Sequence, residues 1–278
     1  MSTVAFLLIA FMLSTYVVLD GYDLGVAIVT PLFARTDRER HACMQAIGPF
    51  WNGNEVWLIA AGGALFALFP KAYASAFSGF YLPLMVMLWL LMGRGVALEL
   101  REHFTSDLWH QFWDAIFWIS SLLLVVIFGV ALGNLIRGVP LDAQGYFDGT
   151  FGFLLNPYAL FVGLLAVVVL GIHGVAFLSL RVEGAIGERA LKVVRTPWAF
   201  AGTTALIAFL LVMAWWSMFP YLVPAYPRGS GGISAFDAAP APTALASALT
   251  VTLVGIVAVC IYSAIVWRKL AGKVRVGE

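Results

Sequence analysis

Residues 17–29 read VVLDGYDLGVAIV, an apolar run broken by two aspartates three positions apart. An ionised carboxylate is costly to bury, so the surroundings of Asp20 and Asp23 decide what this run is. The chain as a whole answers. Its 278 residues are 62% hydrophobic and 11% charged, with mean hydropathy +0.93, whereas soluble domains carry about 25% charged residues. The run is read as part of a membrane-spanning helix, and the protein as an all-α integral membrane protein.

A spanning helix needs about 20 mostly apolar residues. Seven runs qualify, at 4–33, 45–69, 74–98, 113–136, 157–180, 198–223 and 243–267. They predict a helix bundle that forms one transmembrane domain over 1–278, with no soluble domain and no clear internal repeat. The connection PAYPRGSGGISAFDAAPAP (224–242) is rich in Gly, Pro and Ser and reads as an exposed loop. No Lys or Arg precedes Arg35, so the start lacks the basic region of a cleavable signal peptide and is read as a retained first span. Cys43 and Cys260 lie far apart and form no redox or zinc motif. A net charge of +1 points to no nucleic-acid partner.

Where the charges fall sets the orientation. Arg35, Arg38, Arg40, Arg94, Arg101, Arg181, Arg189, Lys192, Arg195, Arg268, Lys269, Lys273 and Arg275 all belong to one side, and only Lys71, Arg137 and Arg228 to the other. Cytoplasmic loops carry the excess of basic residues, which predicts the N-terminus outside and the C-terminus in the cytoplasm. Arg94, Glu99, Arg101 and Glu102 read as a solvated cluster at the cytoplasmic end of the third span.

Asp23 then lies about 12 Å inside the first cytoplasmic loop at 1.5 Å per residue. In the second span, AIGPFWNGNEVWLIAAGGALFALFP (46–70) places Glu55 at a similar depth. Asp20 is one turn deeper than Asp23 on the same helix face. Asp20, Asp23, Glu55 and the amides of Asn52 and Asn54 are expected to line one polar path for proton uptake from the cytoplasm, since intramembrane acids commonly serve proton relays. The alternative is protonated acids that fix helix packing by hydrogen bonds. Gly21, Gly25, Gly53, Gly62 and Gly63 read as close helix contacts. Trp51 and Trp57 bracket the acidic turn and are candidates for the wall of a quinone or proton cavity.

Several blocks carry a resemblance: LDGYDLGV (19–26), GPFWNGNEVWLIAAGGALFALFP (48–70), AFSGFYLPLMVML (76–88), FGVALGNLIRGVP (128–140), LLNPYALFVG (154–163) and MFPYLVPA (218–225). Together they resemble subunit II of the cytochrome bd quinol oxidases over nearly the whole chain. The resemblance implies a bacterial cytoplasmic membrane protein that crosses the membrane several times. It implies an obligate partner, subunit I, which holds haems b and d, in a complex that oxidises quinol and reduces oxygen to water without pumping. The chemical protons come from the cytoplasm. Membrane lipid, a structural quinone and small accessory subunits are further associations it implies. The family commonly has an aspartate directly after the tryptophan of the second block; here Asn52 stands there, and an amide cannot relay a proton at ordinary pH. Glu55 is expected to supply the ionisable group instead. Family members also have two more spans, which here are missing between the fifth and the sixth.

No catalytic or metal-ligating set is expected within this chain. His41, His103 and His110 fall at or near the cytoplasmic connections, and only His173 lies well inside a span. A single histidine on an apolar helix reads as a hydrogen-bonded one, so the chain is expected to be haem-free. The functional reading is a non-haem subunit of a terminal quinol oxidase. A stand-alone proton-coupled transporter using the same acids is the second reading.

Overall fold

The computed structural model describes residues 1–270 and 272–275. The chain runs α1 (Ser2–Phe33), α2 (Asp37–Ile47), α3 (Trp51–Leu68), α4 (Pro70–Gly79), α5 (Tyr81–Leu100), α6 (Asp107–Arg137), α7 (Phe151–Leu154), α8 (Pro157–Arg181), α9 (Ala185–Val194), α10 (Ala199–Met218), β1 (Tyr221–Pro224), β2 (Gly232–Ser234) and α11 (Pro242–Leu270). Among the described residues, six helices are long and apolar enough to cross a membrane: α1, α5 with the short turn after it, α6, α8, α10 and α11. The seventh expected span is α3. Its start spends Asn54 and Glu55 on polar contacts, and the helix has 18 residues, yet it packs between α1 and α11.

The expected second and third spans are each divided. The chain turns at 48–50 between α2 and α3, and again at Phe80 between α4 and α5. The start of α2 explains part of this. Thr36 Oγ1 accepts from Glu39 N (3.2 Å) and caps the helix, while Glu39 Oε2 accepts from Arg35 N (2.6 Å). That is a capping box displaced by one residue, so the basic loop folds into a helix of its own.

α8 is the hub. Gly25 of α1 and Gly174 of α8 cross so closely that a Cβ on Gly25 would stand 2.0 Å from Leu170 O. Nearer the start of α8, a Cβ on Gly129 of α6 would stand 2.6 Å from Gly163 Cα. Small residues permit such backbone approach where lipid gives no hydrophobic drive between helices. The expected close contacts hold for Gly21, Gly25 and Gly53. They do not hold for Gly62 and Gly63, which have nothing within 4 Å of a built Cβ.

At the end away from the basic loops, 224–242 is more ordered than its composition suggests. β1 and β2 pair antiparallel, and Val223, Ile233, Ala235 and Ala238 are buried. Val139 N donates to Pro224 O (2.9 Å), and Arg228 donates to Ile136 O and Ser217 O. Arg137 lies over the rings of Phe153 and Tyr226, at 4.8 and 4.4 Å from their centroids. Two cations thus dock the hairpin on the end of α6.

Candidate functional site

Asp20 and Asp23 are fully buried on α1, and the group that holds them comes from α5. Arg94 Nη2 donates to Asp20 Oδ1 (2.7 Å) and its Nη1 to Asp20 Oδ2 (3.2 Å), a bidentate pair. The same Nη1 donates to Glu55 Oε1 (2.9 Å), and Nη2 stands 3.9 Å from Asp23 Oδ2. Arg94 is therefore no part of a solvated cluster. It sits six residues inside the C-terminal end of α5, and its planar fork meets carboxyl groups from two other helices.

Asn54 completes the arrangement. Its amide donates to Asp23 Oδ2 (2.7 Å) and lies 2.8 Å from Tyr22 Oη and 3.4 Å from Leu19 O. Tyr16, one turn before Asp20 on the same face, is buried beside that aspartate. Asp23 Oδ1 is buried without a hydrogen-bond partner among the described residues.

Of the residues singled out from sequence, Asp20, Asp23 and Glu55 come together as expected. Asn52 does not join them; it is exposed on the outer side of α3, and Asn54 does the polar work. Trp51 packs over Gly95 of α5, where a Cβ would meet its ring at 3.2 Å. Trp57 is buried in the other half of the bundle, edge-on to Phe11 at 5.9 Å. Sequence reading missed Arg94 as a site residue because GRG and the acidic ELRE that follows resemble a loop. Depth would have found it, since Arg94 faces the acids of α1 and α3 from a third helix.

An apolar cavity of about 450 Å³ opens between α1, α6, α8 and α10. Tyr16 and Gly21 line it at the level of the acids, and Ile136 and Tyr158 line it near the far end. His173 does not present a free nitrogen to a haem. Its Nδ1 lies 2.7 Å from Thr203 Oγ1, its Nε2 lies 3.3 Å from Val18 O, and the ring stacks on Phe200. No group of three His, Cys, Asp or Glu side chains among the described residues is placed to hold a metal ion.

At the basic end a second set of charges ties α2 to the α5–α6 connection. Arg101 donates to Asp114 (2.7 Å), Asp37 (2.6 Å) and Glu102 (2.6 Å). Arg40 pairs with Asp114 (2.9 Å), His41 with Glu102 (2.7 Å) and His110 with Asp37 (3.2 Å). Arg101, like Arg94, is nearly fully buried. Outside the spans, burial works to raise the Asp37 carboxyl, but Arg101 and His110 outweigh it and hold the group below its ordinary range.

The family model described as cytochrome bd terminal oxidase subunit II matches residues 1–197. The chain is 38% identical over 213 residues to cytochrome bd-I ubiquinol oxidase subunit 2 of Escherichia coli K12, covering 75% of this chain and 55% of that protein. It is 33% identical over 223 residues to cytochrome bd ubiquinol oxidase subunit 2 of Bacillus subtilis, covering 80% and 64%. The chain thus spans just over half the length of the first of these relatives. In fold it is similar to a chain in the structure of bd oxidase from Geobacillus thermodenitrificans, with TM-score 0.70, 16% identity, and 96% and 97% of the two chains covered. On the match over 1–197, which carries α1, α3 and α5 and hence every acid of the buried cluster, this chain belongs to the cytochrome bd terminal oxidase subunit II family.

Proposed function

We propose that this chain is the non-haem subunit of a bd-type quinol oxidase and takes up protons from the cytoplasm for the reduction of oxygen in a haem-bearing subunit I. The complex supplies the redox chemistry through haems b and d of that partner; this chain supplies a proton route and a surface for the partner to pack on. The basic loops favour the cytoplasm for the end that holds Arg35, Arg101 and Arg189. The last turns of α1 and the first of α3 then open toward the proton source.

One observation carries the reading: a single buried guanidinium among three carboxyl groups at one depth. Full ionisation would leave two uncompensated negative charges in the bilayer, so charge balance favours protons on the set. Arg94 balances one carboxylate charge of the set. It binds Asp20 through both oxygens and Glu55 through one, which leaves Asp23 and the second oxygen of Glu55 to gain and lose a proton. The large apolar cavity suits an isoprenoid or acyl chain, which supports a structural quinone or lipid beside the route.

The test is quinol-dependent oxygen consumption by the assembled complex with Glu55→Gln, Asp23→Asn and both together, at normal haem content. Slowed turnover that worsens with rising pH supports the reading. Unchanged turnover in all three variants sinks it.

A further inference from the structure

The uptake reading leaves unsaid how a proton reaches Asp23 from the basic end. Tyr16, Asp20, Asp23, Ala27 and Thr30 succeed one another at intervals of three and four, so they share one face of α1. At the loop end of that face lies a cavity of about 280 Å³ between α1, α2 and α6. Ala27, Thr30, Arg40, Gln111, Asp114 and Ala115 are among its lining residues.

Most of the cavity wall is apolar, Met44, Phe117 and Trp118 included, but part of it carries polar groups. Thr30 contributes a hydroxyl, Gln111 an amide and Asp114 a carboxylate held by Arg40 at 2.9 Å and Arg101 at 2.7 Å. Pro31 has no N–H to give to Ala27 O, so that carbonyl adds an acceptor. Such a space has both the room and the partners that bound water needs. At its inner end stands Ala27, fully buried and small. One turn further on is Asp23, whose Oδ1 is buried without a partner. Buried carboxylate oxygens are normally paired, so an orphan one is where a water or proton belongs.

We infer that this cavity is a hydrated antechamber of the proton route, with Ala27 as its constriction and Asp23 Oδ1 as the first acceptor beyond it. The inference rests on the uptake reading above. A proton leaves a water in the antechamber, passes the Ala27 methyl along a water admitted transiently, and forms the O–H bond on Asp23. The donor water recovers its proton from the cytoplasm. Asp114, paired with Arg40 and Arg101, holds the outer wall; it is a positioning residue, not a carrier.

Two measurements on the assembled complex test this. In inside-out vesicles, Thr30→Cys is exposed to a small, charged, membrane-impermeant methanethiosulfonate. Arg38→Cys is the accessible control and Ile59→Cys, on the lipid side of α3, the inaccessible one; Cys260→Ser lowers the background. Labelling at position 30 supports the antechamber, and labelling at 38 alone overturns it. Turnover is then measured for Ala27→Leu, which plugs the constriction, for Ala115→Phe, which fills the cavity from its open side, and for Ile59→Phe, which adds bulk at an exposed position outside the route. Loss in both filled variants with Ile59→Phe near normal supports the route. If Asp23→Asn slows turnover but neither filled variant does, the antechamber is wrong and the uptake reading stands. If no carboxyl variant matters either, the uptake reading itself fails.

Discussion

Arg94 grips Asp20 through both terminal nitrogens, at 2.7 and 3.2 Å, with neither side chain exposed. The two residues are 74 positions apart, and their pairing fixes α5 against α1. Removing one partner of a buried pair leaves the other charge uncompensated and costs about 3–5 kcal/mol. Arg94→Gln is therefore expected to lower the thermal midpoint of the complex in detergent sharply. Asp20→Asn in the same chain should recover part of the loss, because the double variant buries one fewer bare charge. A double variant no better than Arg94→Gln alone contradicts the pairing.

The two asparagines of the WNGNEVW block separate cleanly. Asn54→Ala strips a buried donor from Asp23, an effect of about 1–3 kcal/mol. Asn52→Ala touches only the outer side of α3 and should stay within about 0.5 kcal/mol. Chemical or thermal denaturation of the two variants side by side decides this; equal effects would place both amides in the cluster.

Helix crossing gives a steric prediction. Gly25→Ala would put a methyl carbon 2.0 Å from a backbone oxygen of α8, with no side chain able to yield. Assembly yield should collapse. Gly62→Ala meets nothing within 4 Å and is expected to behave as the native chain.

Acid should weaken the basic end. For Glu39, burial works upward, but the Arg35 N–H and the Arg189 guanidinium outweigh it and hold the carboxyl below its ordinary range, as Arg101 does for Asp37. A lowered folded-state pKa contributes stability that is fully present above the unfolded value, near 4. That contribution is lost as pH falls through the lower folded value. The thermal midpoint should hold steady above about pH 5 and fall below about pH 4. Glu39→Gln should flatten that fall more than Asp37→Asn, since the side chain of Asp37 is 44% exposed and that of Glu39 11%.

Much of this was legible in the sequence, for physical reasons. Apolar runs of spanning length report helices wherever lipid is the solvent, and α1, α6, α8, α10 and α11 follow their expected runs closely. Acids inside such runs report a site because nothing else repays burying them, which is why Asp20, Asp23 and Glu55 were found. Arg94 was hidden by its neighbours: glycines on both sides and charges one turn later imitate a loop, although the residue lies inside a helix. Asn52 was misplaced because spacing along α3 was taken for facing. A helix turns 100° per residue, so two positions separate an inward amide from an outward one. The breaks at 48–50 and Phe80 do not interrupt the apolar runs; Gly48-Pro49 marks the first as a turn, while the second emerges only from the packing around it.

The two ends of the bundle are fastened by different forces. Around Arg101 the fastening is ionic, with Asp37, Glu102, Asp114, Arg40 and both histidines at the rim. At the opposite end it is the hairpin on α6, held by main-chain hydrogen bonds and by Arg137 between two aromatic faces. Dissolved ions screen the exposed rim of the first, Asp37, Glu102 and His41, over a Debye length of about 10 Å at 0.1 M and less at higher salt, while leaving the second largely intact. Raising ionic strength should therefore loosen the molecule from one end only, and hydrogen exchange in α2 should quicken while 221–234 keeps its protection.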